Sequence, residues 1–206
     1  MNIYSYVVAR DFGFAPNPFG RYCTLATCKP KIRENASIGD WIIGTGSAGY
    51  NLQKWLMYAM KVEEKITFVD YWNDIRFQYK KPIMNGSLVQ MYGDNIYSFD
   101  ELRHKWLQSD SHHSYADGSI NKHNLNRDLG GKYVLISEEF YYFGKDAIEI
   151  PKEYSSIIKT GPGYKKNIQE DVKNNFINFL KKNFQLGYHS DPIHLVGEFK
   201  NYDGVS

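Results

Sequence analysis

Tyr, Val and Ile dominate residues 3–9 with no breaker among them, and residues 22–27 are likewise free of breakers, so both stretches predict strands. Between them, residues 10–20 hold two prolines and two glycines, which predicts a long loop. Phe12, Phe14 and Phe19 sit in that loop. They either staple it to the core or rim a ligand site in which Arg10 and Asn17 offer donors. Residues 31–35 read as one helical turn. Gly39-Asp40 is a turn signal, Trp41-Ile42-Ile43 a buried strand, and Gly44-Thr45-Gly46-Ser47 a glycine-rich exit where a ligand could approach backbone closely. Residues 50–62 fit a helical stripe or a strand face. A strand from about Trp55 is favoured, because a helix start follows at once. That start is the capping pattern Thr67-Phe68-Val69-Asp70, with Phe68, Tyr71, Trp72, Ile75 and Tyr79 on one helical face.

Ser98-Phe99-Asp100-Glu101 repeats the capping pattern and predicts a second helix carrying Phe99, Leu102 and Trp106 inward. Residues 109–131 are polar and predict a long loop with no structure of its own. Residues 133–143 and 147–150, joined by Gly144-Lys145-Asp146, predict a hairpin. Ile168, Val172, Phe176, Phe179 and Leu180 mark an amphipathic helix stopped near Gly187, and residues 193–199 predict a last short strand.

Composition narrows this picture. A chain of 206 residues suits a single domain, here 1–206 with an inserted polar loop at about 109–131 and a C-terminal helix-strand extension. Aromatics make up 16% of it, which suits equally a ligand-facing surface and a β-rich core. A formal net charge of +2 gives no broad basic field for duplex DNA. Cys23 and Cys28 form neither a disulfide framework nor a zinc pair, and are expected to be reduced in a cytoplasmic protein. No signal peptide or membrane span is read.

Gly44, Gly46 and Gly49 match a dinucleotide fingerprint, but the chain lacks the regular strand-helix alternation that motif needs. His112, His113 and His123, with Asp110 and Asp117, could be drawn as a metal site. Adjacent histidines in an extended chain point opposite ways, so a solvated loop is expected, with no metal, no cofactor and no catalytic residue assigned.

Residues 4–19, Ile38 to Ser47, Met91 to Tyr97 and Gly130 to Ser137 resemble the phage and bacterial family called nucleotide modification associated domain, type two. More distantly, the Gly39-Asp40 turn and strand followed by an aromatic helix are similar to EVE and ASCH domains. The resemblance implies an α+β fold, a PUA-like, largely antiparallel β-barrel with helices packed outside. It also implies a pocket for a nucleotide or modified nucleobase, free or in single-stranded or flipped nucleic acid, in a setting of nucleotide modification, phage defence or counter-defence. A non-catalytic reader is the first expectation; a sponge for a free nucleotide messenger and an enzyme working through the His-rich loop are the alternatives. The expected ligand contacts are Arg10, Phe12, Asn17, Trp41, Thr45, Ser47, Tyr92, Asp94, Asn95, Arg127 and Lys132. Trp41, Tyr92 and Phe12 are the stacking rings, at about 1–3 kcal/mol per base. The site is expected where the Trp41 strand exit, the phenylalanine loop and residues 91–97 meet.

Overall fold

The computed structural model describes residues 1–204. In chain order its strands and helices are β1 (Ile3–Val8), β2 (Cys23–Leu25), α1 (Pro30–Asn35), β3 (Trp41–Gly46), β4 (Trp55–Lys61), β5 (Glu64–Thr67), α2 (Phe68–Asn73), α3 (Leu88–Met91), β6 (Tyr97–Asp100) and β7 (Lys105–Gln108). There follow α4 (Lys122–Leu129), β8 (Tyr133–Ser137), β9 (Phe140–Tyr142), β10 (Ile148–Glu149), β11 (Tyr164–Lys165), α5 (Glu170–Asn183) and β12 (Gly187–Tyr188).

The fold is mixed α+β. The main sheet runs β11-β1-β3-β4-β9-β12, with β10 also on β4. Its pairs are antiparallel except β1 with β3 and β9 with β12. A second sheet, β2-β8-β5, is antiparallel. The pairing is an open path with β11 and β12 at its edges, so the expected barrel does not close among the described residues.

Alternation along the strands builds the layers. Tyr4, Tyr6 and Val8 of β1 and Ile42 of β3 face Cys23, Leu25 and Leu135 of the second sheet. Ile3, Trp41 and Ile43 face the other way, onto Phe176, Ile177 and Leu180 of α5. Beyond the second sheet, Val134 and Ile136 meet a third, aromatic layer that includes Phe12, Phe14, Phe68, Tyr71, Tyr92 and Tyr97. Among the described residues no helix is long and apolar enough to cross a membrane.

Several expectations are corrected. Residues 97–108 form the hairpin β6-β7 and not a helix, because Asp100 Oδ1 accepts the Leu102 and Arg103 amides and turns the chain. The helix begun by the Thr67/Asp70 capping box is present but short, giving way to a 3-10 helix over Ile75–Lys80. β8 and β9 lie in different sheets and β10 pairs with β4, so residues 133–150 are not a hairpin. Residues 193–199 are not a strand.

The segment 109–131 is not structureless. It contains α4, whose N-cap Asn121 accepts the His123 and Asn124 amides, and it buries Ser111, His112, His113, Ser114, Asn121, Asn124 and Asp128. Bonds to the C-terminal tail hold it: Tyr202 N–H donates to the His112 carbonyl, and Asn124 Nδ2 donates to the Tyr202 carbonyl.

Candidate functional site

A cavity of about 730 Å³ opens between the end of β1, the phenylalanine loop, the turn before α1, residues 112–113, Arg127 of α4 and Tyr202 of the tail. Its size falls within the range of small-molecule sites. The rings of Tyr6, Phe12, Phe14, Tyr164 and Tyr202 line it, together with Arg10, Lys29, Lys31 and Arg127. No carboxylate is among the described lining residues.

The wall is supported from behind. Phe12 stacks on Tyr92 at 5.1 Å between ring centres, and Phe14 packs on His112 and His113. Tyr6 accepts a 2.8 Å hydrogen bond from Tyr58, whose ring lies against Gly44. A Cβ at Gly44 would stand 2.3 Å from that ring, so only glycine fits there. Lys29 Nζ lies 4.5 Å from the Tyr6 ring centre. The Arg10 guanidinium lies 4.7 Å over the Tyr202 ring and that of Arg127 5.6 Å.

At the floor stand Cys28 and His113, with Asp128 buried behind His113. Cys28 Sγ is 3.8 Å from His113 Nε2, and His113 Nδ1 is 2.7 Å from Asp128 Oδ2. Cys28 occupies the sharp turn between β2 and α1, with φ of 56°, followed by Lys29 at 39°. Left-handed backbone at two non-glycine residues costs of the order of 1–2 kcal/mol each. The surrounding network pins this turn. The Cys28 N–H donates to Asp128 Oδ1 at 2.7 Å, and its carbonyl accepts from Arg33 Nε at 2.8 Å. The fully buried Arg33 also donates to the carbonyls of Gly131, Tyr133 and Asp128, tying α1, α4 and β8 to the Cys28 turn. Tyr97 donates to Asp128 Oδ2 at 2.8 Å.

The electrostatics follow this wiring. Burial pushes His113 down, but the Asp128 carboxylate and the Cys28 sulfur outweigh it and raise its pKa to about 10. Burial pushes Cys28 up, but the His113 charge and hydrogen bond, with Arg127 at 3.6 Å from Sγ, leave it below the usual thiol value. Burial likewise raises Asp128, and His113, Arg33 and Tyr97 bring it below the usual carboxylate range. Both directions favour the pair with the proton on His113 over the pair with the proton on Cys28. His112 is the opposite case, held neutral by burial and by the His113 charge, with its pKa at about 3. Cys28 keeps part of its surface open to the cavity, whereas Cys23 is sealed in the core with its pKa raised by burial to about 12.

The three donors lie within 4.8 Å of one another, close enough to consider a metal ion. The carboxylate, however, is already engaged: Oδ1 takes the Cys28 amide and Oδ2 takes both His113 and Tyr97. A compact relay of sulfur, imidazole and carboxylate, with the carboxylate spent on hydrogen bonds, describes the donors better than three lone pairs converging on an ion. The His112 and His113 rings do not point opposite ways. They stack at 5.5 Å in a turn, so the extended-chain argument does not hold here.

Of the residues expected at the site, Arg10, Phe12 and Arg127 line the cavity, and Tyr92 lies one ring behind it. Asn17, Asp94 and Asn95 are buried in a scaffold network. Asn17 accepts from Lys80 Nζ and donates to the Tyr92 carbonyl, Asp94 accepts from Thr24 and Tyr71, and Asn95 donates to the carbonyls of Tyr71 and Phe77. This network staples the phenylalanine loop while Phe12 and Phe14 face the cavity, so both readings of that loop apply.

Trp41 stacks on Tyr141 in the α5-facing layer, on the far face of the sheet from Tyr6. Thr45 is buried with its hydroxyl on the Tyr6 carbonyl, and Ser47 caps a 3-10 turn at Ala48–Tyr50. Lys132 is exposed, its N–H on the Glu34 carboxylate. Two of the three segments expected to meet do so, and the Trp41 exit does not. Sequence reasoning gave Cys28, Asp128 and Tyr202 no individual role, and His113 only a place in the His-rich loop of the alternative enzyme reading. Eighty-five residues separate Cys28 from His113, so no local motif marks the pair.

No curated protein and no solved structure matches the chain. The family model described as nucleotide modification associated domain 2 matches residues 1–199, a span that takes in Cys28, His113 and Asp128 and stops just short of Tyr202. Covered over nearly its whole length, the chain belongs to the nucleotide modification associated domain 2 family.

Proposed function

We propose that the chain binds a nucleotide in the cavity, with its base among the aromatic rings and its phosphate on the cations that line it. The observation that carries this is the pair of guanidiniums, Arg10 and Arg127, against Tyr202 in an aromatic cavity with no carboxylate among its described lining residues. A base has an apolar face and a phosphate is a dianion that guanidinium pairs with bidentately, so one nucleotide answers both halves of the cavity. The family's association with nucleotide modification is consistent with this ligand class.

The setting proposed is a modification, defence or counter-defence system in the cytoplasm, where free thiols such as Cys23 and Cys28 persist. A PUA-like relationship of the mixed sheet is part of the same reading. A concave site and a net charge of +2 favour a free nucleotide or a single unpaired one over a duplex.

Calorimetric titration with the common nucleoside monophosphates and their nucleosides tests the reading. Binding of at least one nucleotide is expected, weakened about tenfold or more by removal of its phosphate or by Arg127→Met, the loss of a charge-assisted hydrogen bond. Failure of every monophosphate to bind at millimolar concentration would overturn it.

A further inference from the structure

The geometry points to Cys28, His113 and Asp128 as a nucleophilic triad that transfers an acyl group from a nucleotide held in the cavity. The acyl group would be joined to the nucleotide as an ester, amide or thioester. The nucleotide half of this inference rests on the binding proposed above; the triad half stands separately.

Three observations carry it. The sulfur, imidazole and carboxylate follow one another at 3.8 Å and 2.7 Å, the order that activates a nucleophile and holds its base in one tautomer. The first distance is long for a bond but usual for a site without substrate. Cys28 stands on a strained strand-to-helix turn whose amide and carbonyl are both held by the network, so its side chain is presented to the cavity. Arg127, 3.6 Å from the sulfur, is placed to take the charge that develops on a carbonyl oxygen.

Phosphatase chemistry fits less well. Thiolate phosphatases need a ring of amides around the sulfur. Here the Cys28 amide is committed to Asp128, and Pro30 has none to give.

The step balances without an oxidant or reductant. The Cys28 thiolate attacks the carbonyl carbon, and the carbon–sulfur bond forms as the bond to the leaving oxygen, nitrogen or sulfur breaks. The leaving group departs with its electron pair and takes the proton of His113. Neutral His113 then accepts a proton from water or an amine, whose oxygen or nitrogen attacks the thioester. The thiolate returns, and the acyl group leaves as an acid or amide. Asp128 touches no reacting atom and is a positioning residue.

The test uses p-nitrophenyl acetate with the full chain, following nitrophenolate release and intact mass at pH 7. A burst leaving one acetyl group on Cys28, followed by slower turnover, is expected. Cys28→Ser should abolish the burst, and His113→Gln should slow it about 10²-fold while the thiol remains titratable. An acetyl group on Cys28 forming equally fast in folded His113→Gln, or acetylation only elsewhere, overturns the triad. A nucleoside monophosphate added in competition separates the two halves. Slowed acylation supports the nucleotide substrate; unchanged acylation removes the nucleotide and leaves the triad; nucleotide binding without Cys28 acylation removes the triad and leaves the binding.

Discussion

Replacing Asp128 by asparagine removes one charge from a site where three groups depend on it. The carboxylate is fully buried and accepts from the Cys28 amide, His113 and Tyr97. The rise of His113 from 6.5 to about 10 corresponds to roughly 5 kcal/mol of preference for the charged ring, at ~1.4 kcal/mol per tenfold. Asp128 is the largest contributor on the raising side. With asparagine there, the largest contribution that holds the charge on His113 is gone, and its pKa should fall. Asp128 also pushes Cys28 up directly, but less than the charged His113 pulls it down, so losing the carboxylate should on balance raise Cys28.

The readout is the pH dependence of iodoacetamide alkylation by intact mass. Cys23 is buried and inert, so the signal reports Cys28. The wild-type rate should reach half its plateau below the ordinary thiol value of about 8.5. In Asp128→Asn the midpoint should move up, and the rate at pH 7 should fall at least about tenfold, since the thiolate fraction falls tenfold for each pH unit the midpoint rises. The variant should also lose about 3–5 kcal/mol, as when one partner of a buried pair is removed, so alkylation must be read well below its melting temperature. A folded Asp128→Asn protein whose profile superimposes on wild type would refute the coupling.

Five further outcomes follow. Arg33→Met strips the donor from four carbonyls and should destabilise by roughly 3 kcal/mol or more, read by urea unfolding. Trp41→Ala should cost about 3–5 kcal/mol in the same assay yet leave nucleotide affinity unchanged, because Trp41 packs on the far face of the sheet. The contribution of His113 to stability is fully present below pH 6.5 and lost as pH rises through about 10, whereas that of Asp128 is present above the ordinary carboxylate range and lost as pH falls through its lowered value; melting temperature should therefore decline on both sides of a neutral plateau. Chelation should leave Cys28 alkylation unchanged, and nucleotide affinity should fall only shallowly with salt, by about one or two released counterions.

Strands β1 and β3 were legible from their runs of strand formers and helix α5 from its apolar stripe, whereas β4, whose pattern fits helix and strand alike, was legible only from the Thr67/Asp70 cap that follows it. The hairpin β6-β7 was not, since Asp100 makes the same local bonds in a turn that it would make in a helix cap. Helix α4 was hidden for another reason. Its most buried residues, Asn124 and Asp128, are polar, spaced one turn apart and bonded to partners distant in sequence, and Leu125 and Leu129 alone make too short a stripe to announce it. The same property concealed the site. Cys28 read as a lone thiol and His113 as part of a solvated loop until Arg33 and Asp128 drew the two segments together. Arg10, Phe12 and Arg127, expected at the site, do line the cavity. Trp41, the most conspicuous ring, belongs to the core, where its size alone suffices to explain it.

The claim that a nucleotide sits over Cys28 is tested most directly by protection. Wild-type protein is alkylated with iodoacetamide at pH 7 across a titration of the tightest-binding nucleoside monophosphate, alongside calorimetry of the same samples. The account predicts that Cys28 alkylation slows about tenfold or more at saturation, with the midpoint of protection equal to the calorimetric Kd. A nucleotide that binds while Cys28 reacts at its unliganded rate would contradict it.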